Sequence, residues 1–236
     1  MRRLTAAMED YLKAIYKLQQ QAGSATTQAL ARLLKVKPAS ATNMLKKLAR
    51  LKLVRYSAYR GVQLTPAGEK MALEIIRHHR LLELYLRQAL KMPLHKVHEE
   101  AERLEHALSE ELEDLIAAAL GNPAYDPHGD PIPTKDGHLP KVHHPHLGEV
   151  PQGQKFLIVR VSDSNPELLR YLEELGLVPQ AVVTVLSREP FGGPIWVKVN
   201  DRTYALGHEA AHHVFVQPMS EVRQRGARRK TRSSRR

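Results

Sequence analysis

The chain has no cysteine. Disulfides and thiolate zinc sites are therefore excluded, and any bound metal must be held by nitrogen and oxygen ligands. It also lacks an apolar run long enough to span a bilayer. The N-terminal stretch MRRLTAAMEDYLKAIYKL is amphipathic, without the hydrophobic region and cleavage site of a signal peptide. These absences describe a soluble, cytoplasmic chain that spans no membrane. A third scarcity is local. Residues 1–68 contain 13 Lys/Arg but only Glu9 and Asp10 as acids. That basic excess at one end is the electrostatic footprint of nucleic-acid binding, although charge alone reads no sequence.

Elsewhere the balance reverses. Residues 69–121 hold 7 basic and 11 acidic residues, and residues 122–221 hold 8 and 12. The tail 222–236 holds 8 basic residues and no acid; it is expected to be disordered and to add nonspecific DNA affinity. At 236 residues the chain suffices for one large domain or two ordinary ones.

Leu4, Met8, Tyr11, Leu12, Ile15 and Leu18 recur at helical spacing and predict a first helix over 5–21. Thr26 or Thr27 can cap a second, and Pro38 suits the first turn of a third, PASATNMLKKLARLKL. Short helix, tight turn, helix is the spacing of a helix-turn-helix. The third helix opens on small and polar residues able to approach and read bases: Lys37, Pro38, Ala39, Ser40, Thr42 and Asn43. Lys46 and Lys47 follow, placed to meet phosphates. Two short β-prone runs around SAYRG then predict a wing carrying Arg55, Tyr59 and Arg60. A double-stranded DNA operator is the partner this implies. A long helix over 66–90 carries more apolar residues than one stripe needs, which suits either an intradomain core or a homodimer.

The stretch LHKVHEEAERLEHALSEEL, from Leu94 to Leu112, carries His98, Glu102, Glu105 and His106. At about 100° per residue, Glu102 falls about 40° from His98, Glu105 about −20° and His106 about 80°. Four donors thus share one side of one predicted helix, and imidazole with carboxylate suits a divalent first-row transition metal. His79 and Glu83 repeat the theme at i,i+4 on the preceding helix. A solvated acidic face with incidental histidines is the plainer alternative. The His-Glu-x-x-His motif of zinc proteases is expected to be absent, because Glu105-His106 is not followed by a histidine at the required spacing. Residues 121–153, rich in Pro, Gly and His, read as a linker or extended loop. There His138, His143, His144 and His146 could bind metal loosely, solvated linker residues being the plainer reading. From Phe156 onward, short β runs with one helix predict a small barrel.

Taken together, MEDYLKAIY, PASATNMLKKL, YRGVQLTPAG, RHHRLLELYL, HKVHEEAERLEH and DPHGDPIP give a chain that resembles the diphtheria-toxin-repressor family of iron- and manganese-dependent transcriptional repressors. The last third resembles the SH3-like module of ferrous-iron-transport accessory proteins. The resemblance implies a mainly α protein with a small β domain. Its parts would be a winged helix-turn-helix (1–68), a helical metal-binding and dimerisation domain (69–121), a linker (122–153), an SH3-like domain (154–218) and a basic tail (219–236). It also implies a regulatory metal site at Asp10, Glu102, Glu105 and His106. An ancillary site would use His79, Glu83 and His98, completed by Glu167 or Asp163. Iron-type members carry Met and Cys where this chain has Asp10 and Glu102, an exchange toward hard ligands that favours Mn(II) over Fe(II). Manganese-type members carry a glutamate at the position of Lys13, which cannot ligate while charged, so that subgroup's two-metal cluster is not implied. The expected function is a metal-dependent DNA-binding regulator that represses metal-uptake genes and is not an enzyme. Its rivals are a metal-dependent nuclease or hydrolase using the same His/Glu set and a metal-independent DNA-binding protein.

Overall fold

The computed structural model describes residues 4–57 and 61–220. The chain forms two compact units: residues 1–82, 101–124 and 132–140 in the first, the remainder in the second. Among the described residues, no helix is long and apolar enough to cross a membrane.

The first unit opens with α1 (Ala6–Ala22), α2 (Thr27–Leu33) and α3 (Pro38–Arg50). α1 buries Met8, Tyr11, Leu12 and Ile15, the predicted stripe, and stops at Gly23, whose φ of 71° places it in the left-handed region. Thr26 caps α2, its side chain accepting from the Ala29 N–H at 3.1 Å. α3 starts on Pro38 and turns Ala41, Leu45 and Leu48 inward. Leu12, Ile15, Leu30, Leu45 and Leu48 are all at 0% exposure, and each such burial contributes about 1.5–3 kcal/mol. β1 (Val54–Ser57) and β2 (Gly61–Leu64) pair antiparallel as the wing. The wing docks on the helices through the Val62 N–H, which donates to the Ala25 carbonyl at 2.9 Å. At Gly61, with φ of 84°, a Cβ would lie 2.6 Å from that same carbonyl, so only glycine lets the wing approach this closely.

The predicted ligand helix is shorter than expected. α4 (Pro66–Gln88) is continuous, but α5 (Leu94–Leu104) ends before Glu105, and Glu105–Ala107 forms a 3₁₀ turn. The expectation of four donors on one side of one α-helix is therefore corrected. The tighter 3₁₀ winding breaks the 100° progression, and Glu105 and His106 leave it to face α1. Ser109 then caps α6 (Glu110–Ala119), accepting from the Leu112 N–H at 3.2 Å.

The second unit is built on a five-stranded antiparallel sheet in the order β6-β5-β4-β3-β7. The strands are β3 (Lys155–Val161), β4 (Val182–Arg188), β5 (Ile195–Val199), β6 (Arg202–Leu206) and β7 (Val214–Pro218). β5 alternates cleanly, with Ile195, Val197 and Val199 inward and Trp196 and Lys198 outward. α7 (Pro166–Glu174), capped by Asn165, lays Leu169 and Leu172 on this core with Phe156 and Ile158. One helix was expected in this region, yet a second, α8 (His208–His212), lies between β6 and β7. At five residues it is too short to register as periodicity.

The Pro/Gly/His-rich stretch has no regular helix, yet it is not a solvated linker. Ile132, Leu147 and Val150 are at most 4% exposed and His128 is at 0%. In the second unit, Asp126 Oδ1 accepts from the backbone N–H groups of His128 and Asp130, each at 2.9 Å. This Asx turn is followed by Gly129, where a Cβ would sit 1.9 Å from the Val159 carbonyl.

Candidate metal centre and DNA-reading face

In the first unit α1 presents Glu9, Asp10 and Lys13 on one side, as i,i+3 and i,i+4 spacing requires. Opposite them stand Glu102 near the end of α5, Glu105 and His106 on the 3₁₀ turn, and His79 on α4. His106 contacts two carboxylates, Nδ1 to Glu9 at 2.6 Å and Nε2 to Asp10 at 2.9 Å. Carboxylates only accept, so this is the arrangement of an imidazolium. His79 Nδ1 donates to Glu105 Oε2 at 2.6 Å. Lys13 donates to Glu102 at 2.8 Å and to Glu105 at 2.5 Å.

The electrostatics follow from burial against charge. Burial disfavours the charged form of the Asp10 carboxyl and pushes it up; His106 and Lys13 oppose this, and Glu102 and Glu105 add to it. Burial alone would lower Lys13, but the charges and hydrogen bonds of Glu105 and Glu102 outweigh it, and the ammonium is held above its ordinary range. His106 behaves alike: burial lowers it, while the Glu9 hydrogen bond and the Glu105 and Asp10 charges bring it out above the usual histidine value. Asp10, Glu105 and His106 each offer a ligand atom within 4.8 Å of the others, as do His79, Glu102 and Glu105. Oxygen and imidazole donors without sulfur fit Mn(II) or Fe(II). Glu9 was not anticipated as part of this group. As the neighbour of Asp10 it is seen to reach His106 only once α1 meets the 3₁₀ turn.

The second unit holds another such group. Glu83, 1% exposed, accepts from His98 Nδ1 at 3.0 Å, and His98 also lies 3.5 Å from Asp163. On the other side, His128 Nδ1 faces Glu83 at 3.6 Å, too far for a hydrogen bond, and is buried without a hydrogen-bond partner. His128 Nε2 donates to the Leu94 carbonyl at 3.3 Å. Burial disfavours the charged ring, but the facing Glu83 carboxylate outweighs it and His128 is pushed up to about 9. Glu83, Asp126 and His128 bring ligand atoms within 4.8 Å of one another. Of the two residues expected to complete the ancillary set, Asp163 stands beside His98, whereas Glu167 is exposed on the first turn of α7. Asp126 and His128 escaped the sequence reading because a Pro/Gly-rich stretch was taken as loop; the Asx-turn signature in DPHGD was the available signal.

On α3 the outward side carries Lys37, Pro38, Ala39, Ser40, Asn43, Lys46 and Lys47, all exposed. Thr42 is half-buried, and its hydroxyl donates to the Pro38 carbonyl at 3.0 Å. Arg55 is exposed on β1. Tyr59 and Arg60, expected at the wing tip, lie outside the described residues, as does the basic tail from Val222.

Residues 3–62 match the iron dependent repressor N-terminal DNA binding domain, residues 65–134 the iron dependent repressor metal binding and dimerisation domain, and residues 146–218 the FeoA domain. The iron-dependent repressor IdeR of Mycobacterium leprae is 31% identical over 230 residues, covering 92% of this chain and 99% of that protein. The diphtheria toxin repressor of Corynebacterium efficiens is 30% identical over 225 residues, covering 92% and 97%. Among solved structures, a manganese-dependent transcriptional repressor in complex with manganese superposes with a TM-score of 0.81 at 38% identity, covering 90% of this chain and all of that one. ScaR with bound Cd2+ follows with a TM-score of 0.74 at 32% identity, covering 90% and 99%. The DNA-binding, dimerisation and FeoA matches run in this order through the chain, and near-complete relatives agree with them: the chain belongs to the iron-dependent repressor family, a family of metal-dependent DNA-binding transcriptional repressors rather than enzymes.

Proposed function

We propose that this repressor acts in the cytoplasm as a homodimer, with Mn(II) its first and Fe(II) its second effector, and that it silences metal-uptake genes when the ion is plentiful. The observation that carries this reading is the meeting of Asp10 on α1 with Glu105 and His106 on the 3₁₀ turn, within 4.8 Å. We assign Asp10, Glu102, Glu105 and His106 as the regulatory ligands. Glu83, His98, Asp126, His128 and Asp163 form a second group of ligands.

A divalent cation held there supplies the positive charge that Glu9, Asp10, Glu102 and Glu105 together lack. The chain's own residues do the rest. Asp10 belongs to α1, and α1 shares a core with α2 and α3 through Leu12, Ile15, Leu30 and Leu45. Holding Asp10 against the 3₁₀ turn therefore holds the whole helix-turn-helix. In a dimer this sets two α3 helices at the separation of two operator half-sites. The outward leucines of α6, Leu112 at 47% and Leu115 at 61% exposure, support dimerisation through the region that matches the metal binding and dimerisation domain. Lys13 supplies one positive charge of its own, which supports a mononuclear regulatory site.

The test is binding to labelled duplex DNA from the gene's own upstream region at fixed salt, with Mn(II), Fe(II), Zn(II) or chelator. Tight binding with Mn(II) or Fe(II) is expected, lost with chelator and in Asp10→Ala. Specific binding indifferent to chelator would overturn the metal switch.

A further inference from the structure

The expectation that the His-Glu-x-x-His pattern is absent is corrected by the chain itself: His208-Glu209-Ala210-Ala211-His212 carries it and spans the whole of α8. Its two histidines are at i,i+4, one above the other on a helix face. Their ring centroids are 4.7 Å apart. A third imidazole, His146 from the Pro/Gly/His-rich stretch, stands 5.3 Å from the His212 ring. All three belong to the second unit and are distinct from Glu83, His98, Asp126, His128 and Asp163.

His146 is held for ligation. Its Nδ1 hydrogen-bonds the backbone carbonyl of His212, which can only accept, so Nδ1 carries the proton and Nε2 keeps a lone pair. A histidine that gives one N–H to a carbonyl and offers the other nitrogen is the supporting arrangement found around protein metal ligands. The ring is further fixed by Phe215 at 4.5 Å between centroids and by the His146–Phe215 bridge. His212 is half-buried, while Ala210 and Ala211 anchor α8 in the core. His208 is exposed; in the present rotamers the three ligand nitrogens do not all lie within 4.8 Å of one another, so binding requires the His208 side chain to turn toward the other two.

We infer that His146, His208 and His212 form an additional metal site on the FeoA-like unit, selective for a late first-row divalent ion of the zinc or copper type. The ligand chemistry decides the ion. Three imidazoles without a bound carboxylate suit Zn(II), Ni(II) and Cu(II) and are poor for Mn(II), which stands lowest in the affinity order of N/O sites. Both acidic groups offer the opposite balance. The site is one of binding and not of hydrolysis: α8 is a helix of five residues, and the pattern's Glu209 is exposed to solvent.

Full-length protein and its His208→Ala/His212→Ala variant would be titrated with Zn(II) alone against a chromogenic chelator, and with Mn(II) as control. The expected result is the loss of one Zn(II) equivalent in the variant with the Mn(II) equivalents unchanged. Cu(II) electron paramagnetic resonance should show a multi-imidazole component that is lost in the same variant, while the component from the His-containing acidic groups remains. His208→Gln, which alters only an exposed side chain, should weaken Zn(II) retention in the same way and keeps the test valid if the double variant fails to fold. Equal Zn(II) equivalents in wild type and variants would overturn the inference, as would Cu(II) spectra identical in wild type and variants. Metal-dependent DNA binding through Asp10 would be untouched by either result.

Discussion

Two groups of acidic and imidazole side chains can be set side by side. In the first unit, Glu102 and Glu105 are bridged by the ammonium of Lys13, and His106 sits between Glu9 and Asp10. In the second, buried Glu83 is met by His98 on one side and by His128 on the other, across a 3.6 Å gap. Both obey the rule that buried carboxylates need a counter-charge. They satisfy it differently. The first group carries a permanent cation that no change of pH near neutrality removes. The second relies on imidazoles, whose charge is conditional. An incoming divalent ion must therefore share its carboxylates with a lysine and displace the His106 proton in the first group, whereas in the second it competes with imidazole protons alone.

The largest effect should come from removing the carboxylate that most of the first group shares. Glu105 is 1% exposed and meets Lys13, His79 and His106. Glu105→Ala should destabilise the metal-free chain by about 3–5 kcal/mol, because it strands a buried cation. Urea unfolding measures this, and a change under about 1 kcal/mol would mean that Glu102 alone suffices for Lys13.

Next is the conditional charge. His128 is raised in the folded chain from 6.5 to about 9. Because the folded value is the higher, its contribution is complete below about pH 6.5 and is lost as the pH rises through about 9, up to about 3 kcal/mol in all. Urea midpoints at pH 6 and pH 9.5 should differ in the metal-free wild type and converge in His128→Gln. Metal uptake by this group near neutral pH should release a proton, detectable by titration in buffers of different ionisation enthalpy.

Lys13→Met removes the tethered cation, and Mn(II) affinity of the regulatory group should rise on the order of tenfold, about 1.4 kcal/mol by calorimetry. An unchanged affinity would show that lysine and metal do not compete. The smallest effects belong to the DNA face. Lys46→Ala and Lys47→Ala should each weaken binding uniformly across sequences and lower the salt slope by about 1 in anisotropy titrations. Asn43→Ala should instead relax preference at one base pair.

Much of the first unit was legible because its signals are local. The stripe of α1, the Thr26 cap, Pro38 at the start of α3 and the two short runs of the wing each depend on a few neighbouring residues. Glu105 and His106 are legible from their spacing on the stretch after Leu94, Asp10 only through the family resemblance, and the fold brings the three together. What was missed is non-local or too short to be periodic. The end of α5 at Leu104 is set by what Glu105 reaches across the unit. His128 is buried because a carbonyl of α5 and a carboxylate of α4 close over it. The His-Glu-x-x-His pattern of the five-residue α8 stands in the sequence and was overlooked beside Glu105-His106, whereas its neighbour His146 is joined to it only by the fold.

By itself, then, the sequence determined the helix-turn-helix, the alternating strands, the absence of thiolate ligands and the uneven charge. Periodicity, capping and composition are properties of short windows. Only the tertiary structure decided which charges share a space. It put Lys13 between Glu102 and Glu105, turned a Pro/Gly-rich loop into a buried wall bearing Asp126 and His128, and stacked His146 on α8. Such pairings join residues tens of positions apart, and their energies depend on burial and distance, which exist only once the chain has closed on itself.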